Sequence, residues 1–211
     1  MRWIAVAGAA TLSVVAVATF AFTRDRGASA PTHPALGLYR GSEPPGRNLL
    51  PTFRLPTYDG RIVSSRALRG RVVVTTFVDT SCKKACPIIV AALAASLRRL
   101  DAATRSDVTA IAFSVDPKVD TPRHVRLFLR ARHAEGELAY AVASEKRMRP
   151  IWHAFYILPA VDTGSADTHS ADVRIFARNG VWVSTLHAGL DLSPANLAHD
   201  IKTASLAARA P

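Results

Sequence analysis

Arg71-Val72-Val73-Val74-Thr75-Thr76-Phe77-Val78, followed by Asp79-Thr80-Ser81-Cys82-Lys83-Lys84-Ala85-Cys86-Pro87, is the stretch from which the fold of this chain can be worked out. The first eight residues are β-branched and apolar, too short for a typical helix and suited to a strand buried on both faces. Pro87 then suits the first turn of a helix, in which Ile88, Ile89, Ala92, Leu93, Leu97 and Leu100 recur near helical spacing. Both cysteines of the chain lie in the strand-to-helix connection, with three residues between them. The Cys-x-x-Cys redox motif leaves only two, so disulfide chemistry and soft-metal binding both stay open.

Outward from this unit the pattern repeats. Val108 to Val115 reads as a second buried strand, and Thr121 with Pro122 as N-cap and first residue of a helix reaching about His133. A strand over Leu138 to Ala143 and a helix over Ser144 to Phe155, kinked at Pro150, follow. Asp172 to Ala177 and Val181 to Leu186 flank Asn179-Gly180, which predicts a tight type I′ hairpin. Ser193-Pro194 opens a last helix to about Ala207. Before the central strand, alternation around Tyr58-Asp59-Gly60 predicts a short hairpin, and Ser64 and Ser65 cap a helical turn ending near Gly70. The expected architecture is α/β: a thioredoxin-like mixed sheet flanked by helices, with an N-terminal β-hairpin extension.

The chain has 211 residues, 49% of them hydrophobic, which is enough for one domain with a sizeable core. Trp3 to Phe22 carries no charge, and about 20 apolar residues match the hydrocarbon layer of a bilayer. Ala28-Ser29-Ala30 resembles a cleavage site, but the apolar run exceeds the usual length of a signal peptide's core. Residues 1–23 are therefore expected to be a single transmembrane anchor, 24–50 a Pro- and Gly-rich tether, and 51–211 the globular domain on the extracytoplasmic face of the cell membrane. The formal charge of +11 is scattered among acids, without a dense basic helix or aromatic stacking motif. That argues against nucleic acid and for an anionic membrane surface or an acidic partner.

Outside the cytoplasm two thiols this close oxidise unless reduced or metallated. At a helix N-terminus, near Lys83 and Lys84, both are expected to be unusually acidic. One helical turn between Cys82 and Cys86 lets them clamp one ion or close one disulfide. Two thiolates select Cu(I) or Zn(II), and a stable site needs a further donor. Among the seven histidines, His124, His133 and His199 read as surface residues and His33 lies in the tether, while His153 and His187 are secondary candidates. His169 precedes the penultimate strand. In a thioredoxin-like fold that loop packs against the N-terminus of the first helix, so His169 can face the two sulfurs.

Thr80-x-Cys82-x-x-x-Cys86-Pro87, Ser114-Val115-Asp116-Pro117-x-x-Asp120-Thr121-Pro122, and His169-Ser170 before a strand together resemble the Sco/SenC family over about residues 51–201. The resemblance implies a membrane-anchored copper chaperone with Cys82, Cys86 and His169 as ligands of a copper ion, chiefly Cu(I) with Cu(II) as its second state. It implies as acceptor the dinuclear copper-site subunit of cytochrome c oxidase, which would receive copper, have its cysteines reduced, or both, or else another copper acceptor, with a copper donor and a thiol reductant as further partners. Asp116 and Asp120 look structural, as turn and cap residues. Two lysines stand between the cysteines, where an acidic residue is common, and Thr168 stands where an aspartate usually precedes the histidine. The rival reading is a membrane-tethered thiol-disulfide oxidoreductase that needs no copper, with Cys82 and Cys86 as its redox pair. A peroxiredoxin would need Thr and Pro where Asp79 and Thr75 stand.

Overall fold

The computed structural model describes residues 37–207. A two-stranded antiparallel hairpin of β1 (Arg54–Pro56) and β2 (Ile62–Ser64) opens the domain, and a 3-10 turn over Ser65–Leu68 follows, with the Ser64 hydroxyl accepting from the amide of Ala67. Then come β3 (Val72–Val78), α1 (Ala85–Arg98), the short α2 (Ala102–Ser106), β4 (Val108–Ser114), α3 (Pro122–Arg130) and β5 (Ala139–Ala141). The chain closes with α4 (Glu145–Ala154), the single turn α5 (Ala160–Thr163), β6 (Asp172–Phe176), β7 (Trp182–His187) and α6 (Pro194–Ala207).

The main sheet has the order β5-β4-β3-β6-β7, with β3 parallel to β4 and antiparallel to β6. Every residue of β3 is buried, because apolar layers cover both faces of the strand. Val72, Val74 and Val78 point into a core shared with α1, α3 and α6. Val73 and Phe77 point the other way, into a core of Phe53, Phe113, Trp152, Phe155 and Phe176. The period of two along one strand thus feeds two cores. On α1, Ile89, Val90, Leu93 and Leu97 are fully buried, each stabilising the fold by roughly 1.5–3 kcal/mol.

Both sheet edges are covered. The hairpin pairs with β5 through Tyr58 N to Tyr140 O and Val142 N to Pro56 O. On the other side, residues 37–50, which composition assigns to the tether, lie along β7. Ser42 and Thr185 exchange two main-chain bonds, and Leu50 donates to the carbonyl of Gly180. The carboxylate of Asp200, fully buried on α6, accepts from the amides of Arg40 and Gly41 and from the Ser184 hydroxyl. This strap holds because its polar groups find partners that a free linker would leave to water. The expected membrane anchor lies outside the described residues, and among the described residues no helix is long and apolar enough to cross a membrane.

Other differences from expectation have local causes. The β6–β7 connection is not a type I′ turn, since Gly180 has φ of 79° but Asn179 does not share a positive φ. Gly180 N donates to Ala177 O and Ala177 N to Val181 O, so Arg178 and Asn179 form an ordinary turn closed by a left-handed glycine. Helix α3 stops at Arg130, and His133 takes a φ of 51° beyond it. The short helices α2 and α5 carry no apolar period that would mark them in sequence.

Gly41 is the tightest point of the strap: a Cβ there would meet Thr185 O at 2.5 Å and also strike the Ser184 hydroxyl. Gly41→Ala is expected to cost about 1–3 kcal/mol and lower the thermal midpoint by several degrees, followed by circular dichroism. Gly37→Ala, whose Cβ would meet nothing nearer than 3.7 Å, should leave that midpoint unchanged.

Candidate metal centre

Strand β3 ends at Val78, and the chain turns through Asp79-Thr80-Ser81 before entering α1. Cys82 lies in this turn, its amide bonded to Asp79 O at 3.2 Å. Cys86 lies in the first turn of α1 and donates its amide to Cys82 Sγ at 3.4 Å, so an otherwise orphaned helix N–H serves a sulfur. Both cysteines are free and buried. The loop before β6 brings His169 alongside, with Nε2 3.1 Å from Cys86 Sγ. The three donor atoms of Cys82, Cys86 and His169 lie within 4.8 Å of one another, and among the described residues they are the cluster suited to hold a metal ion.

The imidazole is oriented by its other nitrogen. Nδ1 lies 2.8 Å from the carbonyl of Ser170, which can only accept, so Nδ1 carries the proton and the Nε2 lone pair faces the sulfurs. Ser170 is itself held by its amide on Leu158 O and its hydroxyl on the Leu158 amide.

The two thiols are not alike, contrary to the expectation that both are acidic. Cys82 is lowered to about 6, chiefly by the hydrogen bond from the Cys86 thiol and further by the amides of Cys86 and Lys84, against its burial. Cys86 is pushed far up, first by donating its proton to Cys82 and then by burial. At neutral pH the two sulfurs are therefore one thiolate and one thiol, with Nε2 of His169 beside them. Lys83 and Lys84 are exposed and act through their main-chain amides. Both amides donate to Oδ1 of Asp167, at 2.9 and 3.3 Å. Asp167 thereby replaces the missing side-chain cap at Lys84 and ties the histidine loop to the cysteine loop. Its carboxyl is lowered first by the Lys83 amide. Sequence reasoning passed over Asp167; an aspartate two residues before the candidate histidine was the available signal.

Asp116 is a turn residue, its carboxylate accepting from the amide of Lys118. Thr121, not Asp120, caps α3. Asp120 is 1% exposed and accepts from the Thr80 amide at 2.9 Å through Oδ1, fixing the turn that carries Cys82. Its Oδ2 meets the hydroxyls of Ser114 at 2.6 Å and Tyr140 at 2.7 Å. Tyr140 Oη also lies 3.0 Å from Val78 O, which already accepts from the amide of Val115, so the single phenol proton is free to serve the carboxylate. Burial raises this carboxyl from 3.8 to about 6, against the hydrogen bonds from Ser114, Thr80 and Tyr140. The other histidines stay apart: His124 bonds Val119 O, His199 lies beside Asp200, and neither secondary candidate, His153 on α4 or His187 at the end of β7, joins the cluster. His33 lies outside the described residues.

A sheet of this order, with a redox- or metal-competent pair at the N-terminus of its first long helix, defines a thioredoxin-like protein whose site has two thiols and one imidazole. The model of the SCO1/SenC family matches residues 42–205, and the chain belongs to that family. It is 36% identical over 76 residues to the SCO1 protein homolog of Bacillus subtilis, an alignment spanning 36% of this chain and 39% of that relative. It is 26% identical over 147 residues to an SCO2-like protein of Rickettsia typhi, spanning 67% of this chain and 70% of the relative. Among solved structures, ScoI of Bradyrhizobium japonicum with copper bound shares the fold at a TM-score of 0.60 and 24% identity, covering 73% of this chain and 98% of that one.

Two measurements check the electrostatics. Thiolate absorbance of the copper-free, reduced protein should titrate one sulfur with a midpoint near 6, and Cys86→Ala should move that midpoint upward by removing the main donor to Cys82. For Asp120 the folded-state value lies above the unfolded one, so between about pH 4 and 6 the unfolded chain releases its proton first. Stability should fall across that window by about 3 kcal/mol in urea denaturation. In Asp120→Asn that part of the pH dependence should vanish.

Proposed function

We propose that this protein is a membrane-anchored copper chaperone, with its domain on the extracytoplasmic face, that delivers copper to the dinuclear copper site of cytochrome c oxidase. The observation that carries the reading is the convergence of two sulfurs and a correctly oriented imidazole nitrogen within 4.8 Å. Two soft donors and one imidazole suit Cu(I), and burial of both cysteines keeps water and oxygen from the ion. Support comes also from the relatives: one solved neighbour carries copper, and another is described as a member of the Sco family of cytochrome c oxidase assembly proteins. Membrane attachment is argued from the charge-free run at residues 3–22.

The chain's own groups account for loading and release. Above pH 6 Cys82 is already ionised, so loading displaces one proton, that of Cys86, while Nε2 of His169 offers its lone pair without losing one. Release runs in reverse: an acceptor with better-placed donors takes the cargo ligand by ligand, and Cys86 recovers its proton.

A second reading rests on the inequality of the thiols. An ionised Cys82 beside a protonated Cys86 is the arrangement of an attacking and a resolving thiol. Cys82 would attack an acceptor disulfide and form a mixed disulfide; Cys86 would then lose its proton and displace the acceptor's thiolate, leaving the acceptor as a dithiol and this pair oxidised. A thiol reductant is then needed to restore the pair.

Anaerobic titration of reduced protein should give about one Cu(I) with two sulfurs and one nitrogen in the X-ray absorption spectrum. An indicator dye should record about one proton released per ion at pH 7, rising toward two below pH 6. Cys82→Ser and Cys86→Ser should each abolish tight binding. His169→Ala should weaken it by at least about tenfold, as expected for loss of a ligand; a variant that keeps full affinity and full oxidase assembly would instead support the copper-independent oxidoreductase.

A further inference from the structure

At the pole of the sheet opposite the cysteines lies a cleft of about 520 Å³, walled by the 3-10 turn, the start of β3 and the β6–β7 turn. Strand β3 separates the two places: the cleft reaches Arg71 and Val73 at its beginning, and Cys82 follows its end, roughly 20 Å away for seven residues. Four arginines line it, Arg66, Arg69, Arg71 and Arg178, above a floor of the half-buried Leu50 and the buried Leu68.

The charges are poorly matched from within. Arg178 pairs with Asp107 and bonds Gly70 O, yet its Nε is buried without a partner. Arg71 is spent on neutral acceptors, Thr109 Oγ1 and the carbonyls of Ser106 and Val108. Among the described residues Arg66 and Arg69 have no carboxylate within ion-pair distance, and both are exposed. Guanidinium groups present forked donors that fit the oxygens of a phosphate, and like charges gathered in one cleft repel unless an anion joins them. Leu49, 61% exposed at the same rim, offers apolar surface to whatever carries that anion.

We propose that this cleft binds the phosphate headgroup of an anionic phospholipid, with Arg66 and Arg69 as its free donors, Arg71 and Arg178 as the fixed positive wall, and the leucines meeting the glycerol and the first acyl carbons. A bilayer is the phosphate source that the reading of residues 3–22 as a membrane segment puts within reach, and the proposal rests on that reading. Bound there, the headgroup gives the domain a second attachment besides its anchor, at the end of the sheet remote from the metal centre.

The test uses the full chain in zwitterionic detergent micelles doped with phosphatidylglycerol or, at equal mole fraction, phosphatidylcholine. Modification of individual arginines by phenylglyoxal is followed by mass spectrometry, with Arg123 and Arg126 on the exposed face of α3 as internal controls. Phosphatidylglycerol should slow modification of Arg66, Arg69 and Arg178 about fivefold relative to the controls, and phosphatidylcholine should not. Equal slowing of Arg123 and Arg126, or none at all, would overturn the site. Protection by inorganic phosphate as strong as by lipid would make a free anion the ligand, and protection by polyglutamate alone would make it an acidic protein; either result overturns the lipid assignment. Arg66→Gln with Arg69→Gln should restore the modification rate of Arg178 in the anionic micelles while leaving Cu(I) titration unchanged. Failure of the cleft is thereby distinguished from failure of the copper reading.

Discussion

The antiparallel pairing of β3 with β6 is the constraint on which the site depends. Val73 through Thr76 face Phe176 through Val173, so the strand that ends at the cysteines lies against the strand that begins after His169. Residues 83 positions apart are brought to 3.1 Å because the ladder leaves no freedom of register. A slip of one residue would turn Val73 and Phe77 out of their aromatic core and Val72 and Val74 out of theirs. The two cores therefore hold the geometry of the site as well as the stability of the fold.

Within that frame, polar contacts between loops do the fine positioning. Asp167 binds the amides of Lys83 and Lys84, and Asp120 binds the amide of Thr80, so carboxylates from two different loops grip the cysteine turn from either side. The helix N-terminus contributes the amide of Cys86 to the Cys82 sulfur. Because one proton is shared toward Cys82 from Cys86, the pair presents one ready anion and one held acid rather than two equivalent thiolates. That inequality suits stepwise ligand exchange and thiol exchange alike, which is why the imidazole is the group that separates the two chemistries.

The sheet also divides the surface into two poles. The cysteine and histidine loops gather where β3 ends, and the arginines gather where it begins. Four arginines out of the scattered positive charge thus gather at the second pole, where Arg178 pairs with Asp107. Among the described residues both edges of the main sheet are covered, by the hairpin and by the strap on Asp200.

Much of this was legible in the residues alone. The β-branched run over Val72 to Val78, the helical spacing after Pro87 and the order of elements specified a central strand, a first helix and the thioredoxin-like arrangement, since local periodicity follows directly from burial on one or two faces. The cysteine spacing and the loop position of His169 pointed to the three side chains that the structure brings within 4.8 Å of one another. What pattern could not reach were properties created by contact between distant segments. The strap over residues 37–50 reads as linker because its partner, Asp200, lies at the far end of the chain. Asp167 as a cap, Asp120 as a buried acid and the unequal acidity of Cys82 and Cys86 all depend on which amide or hydroxyl stands within about 3 Å, a distance that only the packed chain defines.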